Sequence, residues 1–90
     1  MKFRKINNVF FVGIGGIGMS GIAELLMNLE FNVSGSDMSA NENVKRLESL
    51  GIEISIGHDP NNVTKEIDVL VYSSAVPLEN PEIIRAKQKE

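Results

Sequence analysis

The chain has 90 residues, of which 42% are hydrophobic and 23% charged, and this composition predicts one globular domain with a modest core. Nine basic against twelve acidic residues, a net charge of −3, argue against a nucleic-acid surface, and no apolar run approaches the ~20 residues of a membrane span. The absence of cysteine excludes disulfides and thiolate metal sites and favours a cytoplasmic protein. From the charge and the lack of a membrane span, we expect neither a nucleic-acid nor a membrane partner.

The first predicted elements are a strand and a helix. Val9–Val12 is a continuous apolar run, which is typical of a strand buried on both faces of a parallel sheet. A helix is predicted from about Ile17. The expected buried face of this helix is formed by the apolar residues that recur at helical spacing, namely Ile22, Leu25, Leu26 and Leu29.

The glycine turn between these two elements predicts an anion site. Gly13, Gly15 and Gly18 match the pattern G-x-G-x-x-G. A turn without side chains lets backbone N–H groups approach an anion closely, and the helix that follows directs its positive end at the same point. We therefore expect this turn to hold a phosphate or a pyrophosphate. The alternative is that the glycines only allow the strand and the helix to pack closely.

The second strand and the second helix follow. The strand is predicted over Phe31–Ser36. A capping box, with Ser39 as N-cap and Glu42 reaching back to it, is expected to start the helix. Gly51 is placed to end that helix in the left-handed conformation.

The rest of the chain predicts two more strands and another helix. Ile52–Ile56 alternates apolar and polar residues, as a half-exposed strand does. Asp59 and Pro60 suit the start of a short helical turn, with the aspartate as cap. Asp68–Tyr72 is the fourth strand, and the last helix begins at Pro81.

This order of elements predicts an α/β fold with a Rossmann-like open parallel sheet, strand order 3-2-1-4 and helices on both faces. A ligand is expected at the carboxyl ends of strands 1 and 4, where the loops 13–20, 36–39 and 73–77 meet. The last helix would normally lead to a further strand, so we expect a fragment of a longer protein. Strand 4 would then be an apolar edge, which predicts weak self-association.

Three nucleotide ligands can be compared from the residues alone. Asp37 ends the second strand, where a carboxylate binds ribose in NAD-binding domains. NADP is disfavoured because Met38-Ser39 stands where an arginine would help to hold the extra phosphate. ATP held by a P-loop is excluded because Met19-Ser20 replaces Lys-Ser. The NAD-binding domain of an oxidoreductase is thus the default, and a nucleotide-sensing regulatory module is a second alternative. We predict no catalytic residue and no metal site.

Taken together, several motifs resemble the Mur ligases, which build the peptidoglycan stem peptide. The resemblance covers nearly all of residues 7–87. The motifs that carry it are Gly13–Glu24, Ser34–Asp37, Gly57-His58 with Asn61 and Asn62, and Ser73–Pro77 with Asn80-Pro81-Glu82.

The resemblance implies that residues 1–90 are the N-terminal, UDP-binding domain of a three-domain ligase of cell-wall biogenesis, with roles in cell shape and division. Its substrate would be UDP-N-acetylmuramate, to which L-alanine is added through an acyl phosphate. ATP and Mg²⁺ would belong to the central domain, and the C-terminal domain would help to bind the amino acid. The 90 residues would bind no cofactor and would be inactive alone.

The same resemblance implies the roles of individual residues. The diphosphate would be held by the amides of Gly15, Gly16, Ile17, Gly18, Met19 and Ser20. Ser36 and Asp37 would face the uracil or the ribose. The opposite wall would be lined by Ser73, Ser74, Ala75 and Val76. His58 is a further candidate for reaching the nucleotide, with a local, solvated role as the alternative.

Glu30 departs from the pattern of the Mur ligases, which usually have glycine before the second strand. It bears on the end of the first helix and not on the ligand loops. If the residue is left-handed there, it is expected to cost about 1 kcal/mol.

Overall fold

The computed structural model describes residues 6–88, which alternate between strands and helices. The strands are β1 (Asn8–Val12), β2 (Asn32–Asp37), β3 (Glu53–Ile56) and β4 (Val69–Tyr72). The helices are α1 (Ile17–Asn28), α2 (Glu42–Ser49) and α3 (Pro81–Gln88), and a 3-10 turn spans Pro60–Asn62. The predicted order of elements is therefore confirmed, with strand bounds that differ by a residue.

Within residues 6–88 the strands form one parallel sheet in the order β3-β2-β1-β4, as predicted. The central strand β1 pairs on both sides, so that Val12 lies opposite Ser36 of β2 and Tyr72 of β4. On the far side of β2, Asp37 pairs with Ile56 of β3. The carboxyl ends of these strands therefore lie along one edge of the sheet.

Helices cover both faces of this sheet. On one face, Phe11 packs in a buried cluster with Met19 of α1 and Leu47 of α2. Ser36 of β2 faces the other side of the sheet. It follows the residue that pairs with Phe11, and successive residues of a strand point to opposite faces. Ser36 there donates a hydrogen bond to Glu82 of α3. None of the helices in this described stretch has the length and apolarity that a bilayer crossing requires.

The buried side of α1 differs from the predicted one. Ile22, Leu25 and Leu29 are 48%, 56% and 60% exposed. The residues of α1 that are buried are Met19, Ser20 and Ala23, while Leu26 packs only partly against the core. The prediction was wrong because α1 carries apolar residues around most of its circumference, so that periodicity alone does not fix which side meets the sheet.

The start of α2 also differs from its prediction. Asn41, not Ser39, is the N-cap, and its side-chain oxygen accepts a 2.8 Å hydrogen bond from the Val44 N–H. The N–H of Ser39 instead donates to the Asp37 carboxylate, so Ser39 belongs to a turn that precedes the helix. The capping box was therefore wrong. The predicted end of α2 was right, because Gly51 follows the helix with a φ of 100°.

Two other helix starts are confirmed. The Asp59 carboxylate accepts a 2.8 Å hydrogen bond from the Asn61 N–H and so caps the 3-10 turn. At α3, the Asn80 side chain accepts an equally short bond from the Glu82 N–H. In both cases a proline occupies the first helical position, where it loses no hydrogen bond.

Glu30 connects α1 to β2 in the left-handed conformation, with a φ of 71°. We expect Glu30→Gly to raise the free energy of unfolding by about 0.5–1 kcal/mol. The reason is that left-handed backbone costs a residue with a Cβ about 1–2 kcal/mol, of which the extra chain entropy of glycine cancels roughly 0.5–1 kcal/mol. Urea and thermal unfolding measure the difference, which corresponds to a few degrees in Tm.

The matched control is the same exchange at an exposed helical position, Glu48→Gly in α2. There we expect a loss of about 1 kcal/mol, because the backbone is already helical and glycine only adds unfolded-state entropy. If both glycine variants lose stability equally, Glu30 is not strained.

Candidate functional site

Three loops that the sequence places at the carboxyl edge of the sheet meet in the structure. The Asp37 carboxylate at the end of β2 accepts a 2.8 Å hydrogen bond from the Gly15 N–H of the glycine turn. On the other side of that turn, a Cβ built on Gly13 would lie 3.4 Å from the Val76 side chain, which belongs to the β4–α3 loop. The glycine turn therefore lies between the end of β2 and the β4–α3 loop.

Gly15 is the point of closest approach. A Cβ at this position would lie 2.7 Å from Val44 and 2.9 Å from both Asn41 and Asp37. The Asn43 side chain also donates a 3.0 Å hydrogen bond to the Gly15 carbonyl. The start of α2 and the end of β2 thus pack directly on the backbone of the glycine turn, which only a residue without a side chain permits.

Part of the donor set expected for a diphosphate is already used within the protein. The Gly15 N–H donates to Asp37, the Gly16 N–H donates to the Gly13 carbonyl at 3.1 Å, and the Ser20 N–H donates to the Gly16 carbonyl at 2.9 Å. These three amides hold the turn and the first helical bond in place. In the conformation described here they point at protein acceptors.

The remaining amides of the expected set, those of Ile17, Gly18 and Met19, have no acceptor within residues 6–88. They form the first turn of α1, which has neither a side-chain cap nor an acidic residue. A Cβ on Gly18 would meet no atom within 4 Å, so nothing in the described chain fills the space beside it. Gly18 is therefore not required for packing, and this turn offers three donors and a positive helix end to an anion.

Asp37 has a structural role in this arrangement. One carboxylate oxygen accepts from Gly15 and the other accepts a 3.2 Å bond from the Ser39 N–H. The side chain is nevertheless half-buried and not enclosed. Each oxygen has a second lone pair, so the carboxylate can hold the turn and still accept a hydrogen bond from a hydroxyl.

The Ser36 side chain is not accessible to a ligand. The residue is fully buried, and its hydroxyl donates a 2.6 Å hydrogen bond to Glu82 on the α3 face. Its carbonyl accepts from the N–H groups of Gly13 and Ile14 at 2.8 and 2.9 Å. Ser36 therefore supports the glycine turn through its backbone.

His58 follows β3 and joins the same buried group. Its Nδ1 lies 2.9 Å from the Ser36 hydroxyl and 3.0 Å from a Glu82 carboxylate oxygen. The preceding residue, Gly57, donates a 2.8 Å hydrogen bond from its N–H to the Asp37 carbonyl. His58 is thus brought beside the end of β2, with one edge of its ring directed inward.

The β4–α3 loop forms the opposite wall as a tight turn. The Val76 N–H donates to the Ser73 carbonyl at 3.0 Å, and the Ser73 hydroxyl accepts a 3.3 Å bond from the Ala75 N–H. Ser74 and Ala75 are exposed, whereas Val76 is half-buried against the glycine turn. The exposed part of this wall is therefore free to contact a ligand.

The sequence reasoning assigned no site role to Asn43 or to Glu82. Asn43 gives no pattern of its own, because its bond to the Gly15 carbonyl joins segments that are far apart in sequence. Glu82 was part of the Asn80-Pro81-Glu82 motif and was interpreted as a helix start. An acidic residue in the first turn of a helix is usually exposed, and its complete burial was not predicted.

A cavity of about 460 Å³ lies at the other end of the sheet. It is lined by residues at the amino ends of the strands, such as Asn8 and Asn32, together with Met27 at the end of α1. In open parallel sheets ligands bind at the carboxyl ends of the strands. We therefore assign the candidate site to the glycine turn and not to this cavity.

The close approach at Gly15 can be tested by adding a methyl group there. We expect Gly15→Ala to lower the free energy of unfolding by about 1–3 kcal/mol, because the new Cβ would overlap Val44, Asn41 and Asp37. The matched control is Gly18→Ala, which enters open space in a helix and should raise stability by up to about 1 kcal/mol. Urea unfolding measures the free energy of unfolding of both variants and of the parent. Equal stability of Gly15→Ala and the parent would contradict the packing described.

Comparisons with known proteins identify the family to which the chain is similar. The family model described as "Mur ligase family, catalytic domain" matches residues 8–90. The UDP-N-acetylmuramate--L-alanine ligase of Pelobacter propionicus is 55% identical over 86 residues, which are 96% of this chain and 18% of that protein. The protein of the same name from Sorangium cellulosum is 54% identical over 83 residues, which are 92% of this chain and 18% of that protein.

Among solved structures, the fold is similar to the crystal structure of the UDP-N-acetylmuramate-alanine ligase MurC from Thermotoga maritima. The TM-score is 0.87 at 38% sequence identity, and the match covers 91% of this chain and 19% of that one. The chain thus spans about a fifth of the length of the relatives it matches.

Proposed function

The chain belongs to the Mur ligase family, and we propose that it is the N-terminal domain of a ligase of peptidoglycan synthesis, where it binds UDP-N-acetylmuramate. The complete enzyme would add L-alanine to this substrate with the use of ATP. The observation that supports the proposal is the set of amides at Ile17, Gly18 and Met19, which lie at the carboxyl edge of the sheet and have no acceptor in the described part of the chain.

These amides suit a diphosphate for an electrostatic reason. The three N–H groups and the end of the α1 dipole present partial positive charge at one point, and the first turn of α1 contains no acidic side chain to neutralise it. The bond from Gly15 to Asp37 fixes the turn before the ligand arrives. An anion that binds here does not have to order the loop.

The nucleoside would lie beside Asp37, with the exposed residues Ser74 and Ala75 across the crevice. The Asp37 carboxylate keeps lone pairs for a ribose hydroxyl or a base N–H. Nothing in this wall by itself distinguishes uridine from the adenosine of NAD. The names of the relatives support uridine, because they are ligases of UDP-N-acetylmuramate.

In this proposal the bond-making chemistry belongs to other parts of the complete enzyme. The glycine turn lacks the Lys-Ser pair of an ATP-binding P-loop, having Met19-Ser20 instead. ATP and Mg²⁺ would therefore be held by a central domain, and a C-terminal domain would help to bind L-alanine. The 90 residues would bind the sugar nucleotide without acting on it, in the cytoplasm. Weak self-association through the edge of β4 stays a prediction, and light scattering at high concentration tests it.

The ligand can be identified by NMR titration of the 90-residue chain with UDP, UDP-N-acetylmuramate, NAD⁺ and ATP. We expect UDP to shift the amide resonances of Ile17, Gly18 and Met19, with a Kd of roughly 0.1 to several mM, or about −3.5 to −5.5 kcal/mol. NAD⁺ and ATP should cause little change at these amides. Preferential binding of NAD⁺ at the same amides would instead support an oxidoreductase domain.

The role of Asp37 is tested by Asp37→Ala. We expect the affinity for UDP to fall by about 1–2 kcal/mol, or roughly 5- to 30-fold, because one or two hydrogen bonds to the ligand are lost. Isothermal titration calorimetry or the same NMR titration gives the affinity. An unchanged affinity would remove Asp37 from the site.

Asp37→Asn separates the two functions of this side chain. The amide oxygen can still accept from the Gly15 N–H, but the second carboxylate oxygen is replaced by a donor. If Asp37 affects UDP binding only by holding the glycine turn, the asparagine variant should bind UDP like the parent. If the carboxylate also contacts the ligand, its affinity should lie between those of the parent and the alanine variant. Glu79→Ala, at an exposed position of the β4–α3 loop, controls for the change in net charge.

A further inference from the structure

The carboxylate of Glu82 lies completely buried at the start of α3. One of its oxygens accepts from the Ser36 hydroxyl at 2.6 Å and lies 3.0 Å from Nδ1 of His58. The other accepts from the Asn62 side chain at 2.7 Å and from the Asp59 N–H at 3.3 Å. Every acceptor position of an unprotonated carboxylate therefore has a partner, which is what a buried charge requires.

The direction of these bonds fixes the proton on the histidine ring. The Ser36 hydroxyl has one proton, and its short bond to Glu82 uses it. With Glu82 ionised, both groups next to Nδ1 of His58, the Ser36 oxygen and the Glu82 oxygen, can then only accept. Nδ1 then has to carry a proton. In the neutral ring Nε2 is left without one and is a hydrogen-bond acceptor.

The outer edge of the ring is open to solvent at the carboxyl edge of the sheet. Nδ1 is directed inward, and the His58 side chain is 14% exposed, so the edge that carries Nε2 is the outer one. Gly57, the neighbour of His58, donates from its backbone to the Asp37 carbonyl. His58 therefore lies at the carboxyl edge of the sheet, next to the end of β2 and on the α3 side of it.

We propose that Glu82 is a positioning residue that holds His58 in the Nδ1–H form, so that Nε2 presents an acceptor to an N–H or O–H donor of the bound nucleoside. The ligand half of this proposal rests on the proposed function. The tautomer half does not, because it follows from the hydrogen bonds of the protein alone. Glu82 itself is enclosed and does not reach the ligand.

The tautomer is measured first, without ligand. The chain contains one histidine, so long-range ¹H–¹⁵N spectra of the ¹⁵N-labelled protein report His58 without overlap. At pH 8.5 we expect the pattern of the Nδ1–H form, whereas free histidine favours Nε2–H. Glu82→Gln should shift the ring toward the Nε2–H form, and Glu79→Gln, at an exposed position, should leave it unchanged. A parent protein with Nε2–H would overturn the proposal.

Loss of folding in Glu82→Gln does not remove the test. The spectrum of the parent needs no variant, and Ser36→Ala gives a second measurement. This change removes the hydroxyl but leaves the Glu82 oxygen 3.0 Å from Nδ1, so the Nδ1–H form should persist. An Nε2–H form in a folded Ser36→Ala protein would show that Glu82 does not hold the ring.

The ligand half is tested with two analogues, each of which lacks one donor. UDP methylated at N3 of the base has no base N–H, and 2′-deoxy-UDP has no 2′-hydroxyl. We expect one of them to bind about tenfold more weakly than UDP to the parent, as the loss of one hydrogen bond to the site predicts, and this difference should disappear in His58→Ala. If both analogues bind like UDP, the acceptor role of Nε2 is wrong while UDP binding still stands. If UDP itself does not bind, the proposed function fails and the tautomer result is unaffected.

Discussion

The hydrogen bond between the Gly15 N–H and the Asp37 carboxylate is the constraint on which the site depends. It joins the glycine turn to the end of β2 at a point where no Cβ fits. A hydrogen bond to a charged group contributes roughly 1.5–3 kcal/mol, enough to hold a turn that has few side chains of its own. Because this turn leads directly into α1, the same bond also fixes where the helix begins.

The donors of the turn fall into two groups as a result. The amides of Gly15, Gly16 and Ser20 are satisfied within the protein, and those of Ile17, Gly18 and Met19 have no acceptor in residues 6–88. A helix end that lacks both a capping side chain and an acidic first turn is unfavourable for an isolated helix. In a domain that binds a diphosphate, the ligand replaces the missing cap. The uncapped start of α1 is therefore the feature on which its proposed function rests.

The sequence was sufficient for the features that depend on chain order and on local turn chemistry. Alternating strands and helices with right-handed crossovers predicted the sheet order, and Gly51, Asp59 and Pro60 predicted the boundaries near them. The prediction of the buried side of α1 was wrong. This helix is apolar on several sides, so the sequence does not determine which side faces the sheet until the position of the preceding turn is known. The cap of α2 was wrong because Asp37 binds the Ser39 N–H, a contact that depends on how the second strand ends.

The candidate site was predictable as a place and less so as a set of contacts. The spacing of the glycines identified the turn, but not which of its amides are already bonded. The burial of Glu82 depends on Ser36 and His58, which lie far from it in sequence and meet it only in the folded chain. Contacts of this kind leave no periodic pattern, so reasoning from one sequence does not find them.

Ser36 and Asp37 are consecutive residues of β2, and their side chains leave the sheet on opposite sides. The first is bonded to α3 and to the ring of His58, and the second to the glycine turn that starts α1. These two adjacent residues therefore connect α3 on one side of the sheet to the glycine turn and α1 on the other. Neither layer can separate from the strands without disturbing this dipeptide, so the two layers should open together, as one cooperative unit, when the domain fluctuates.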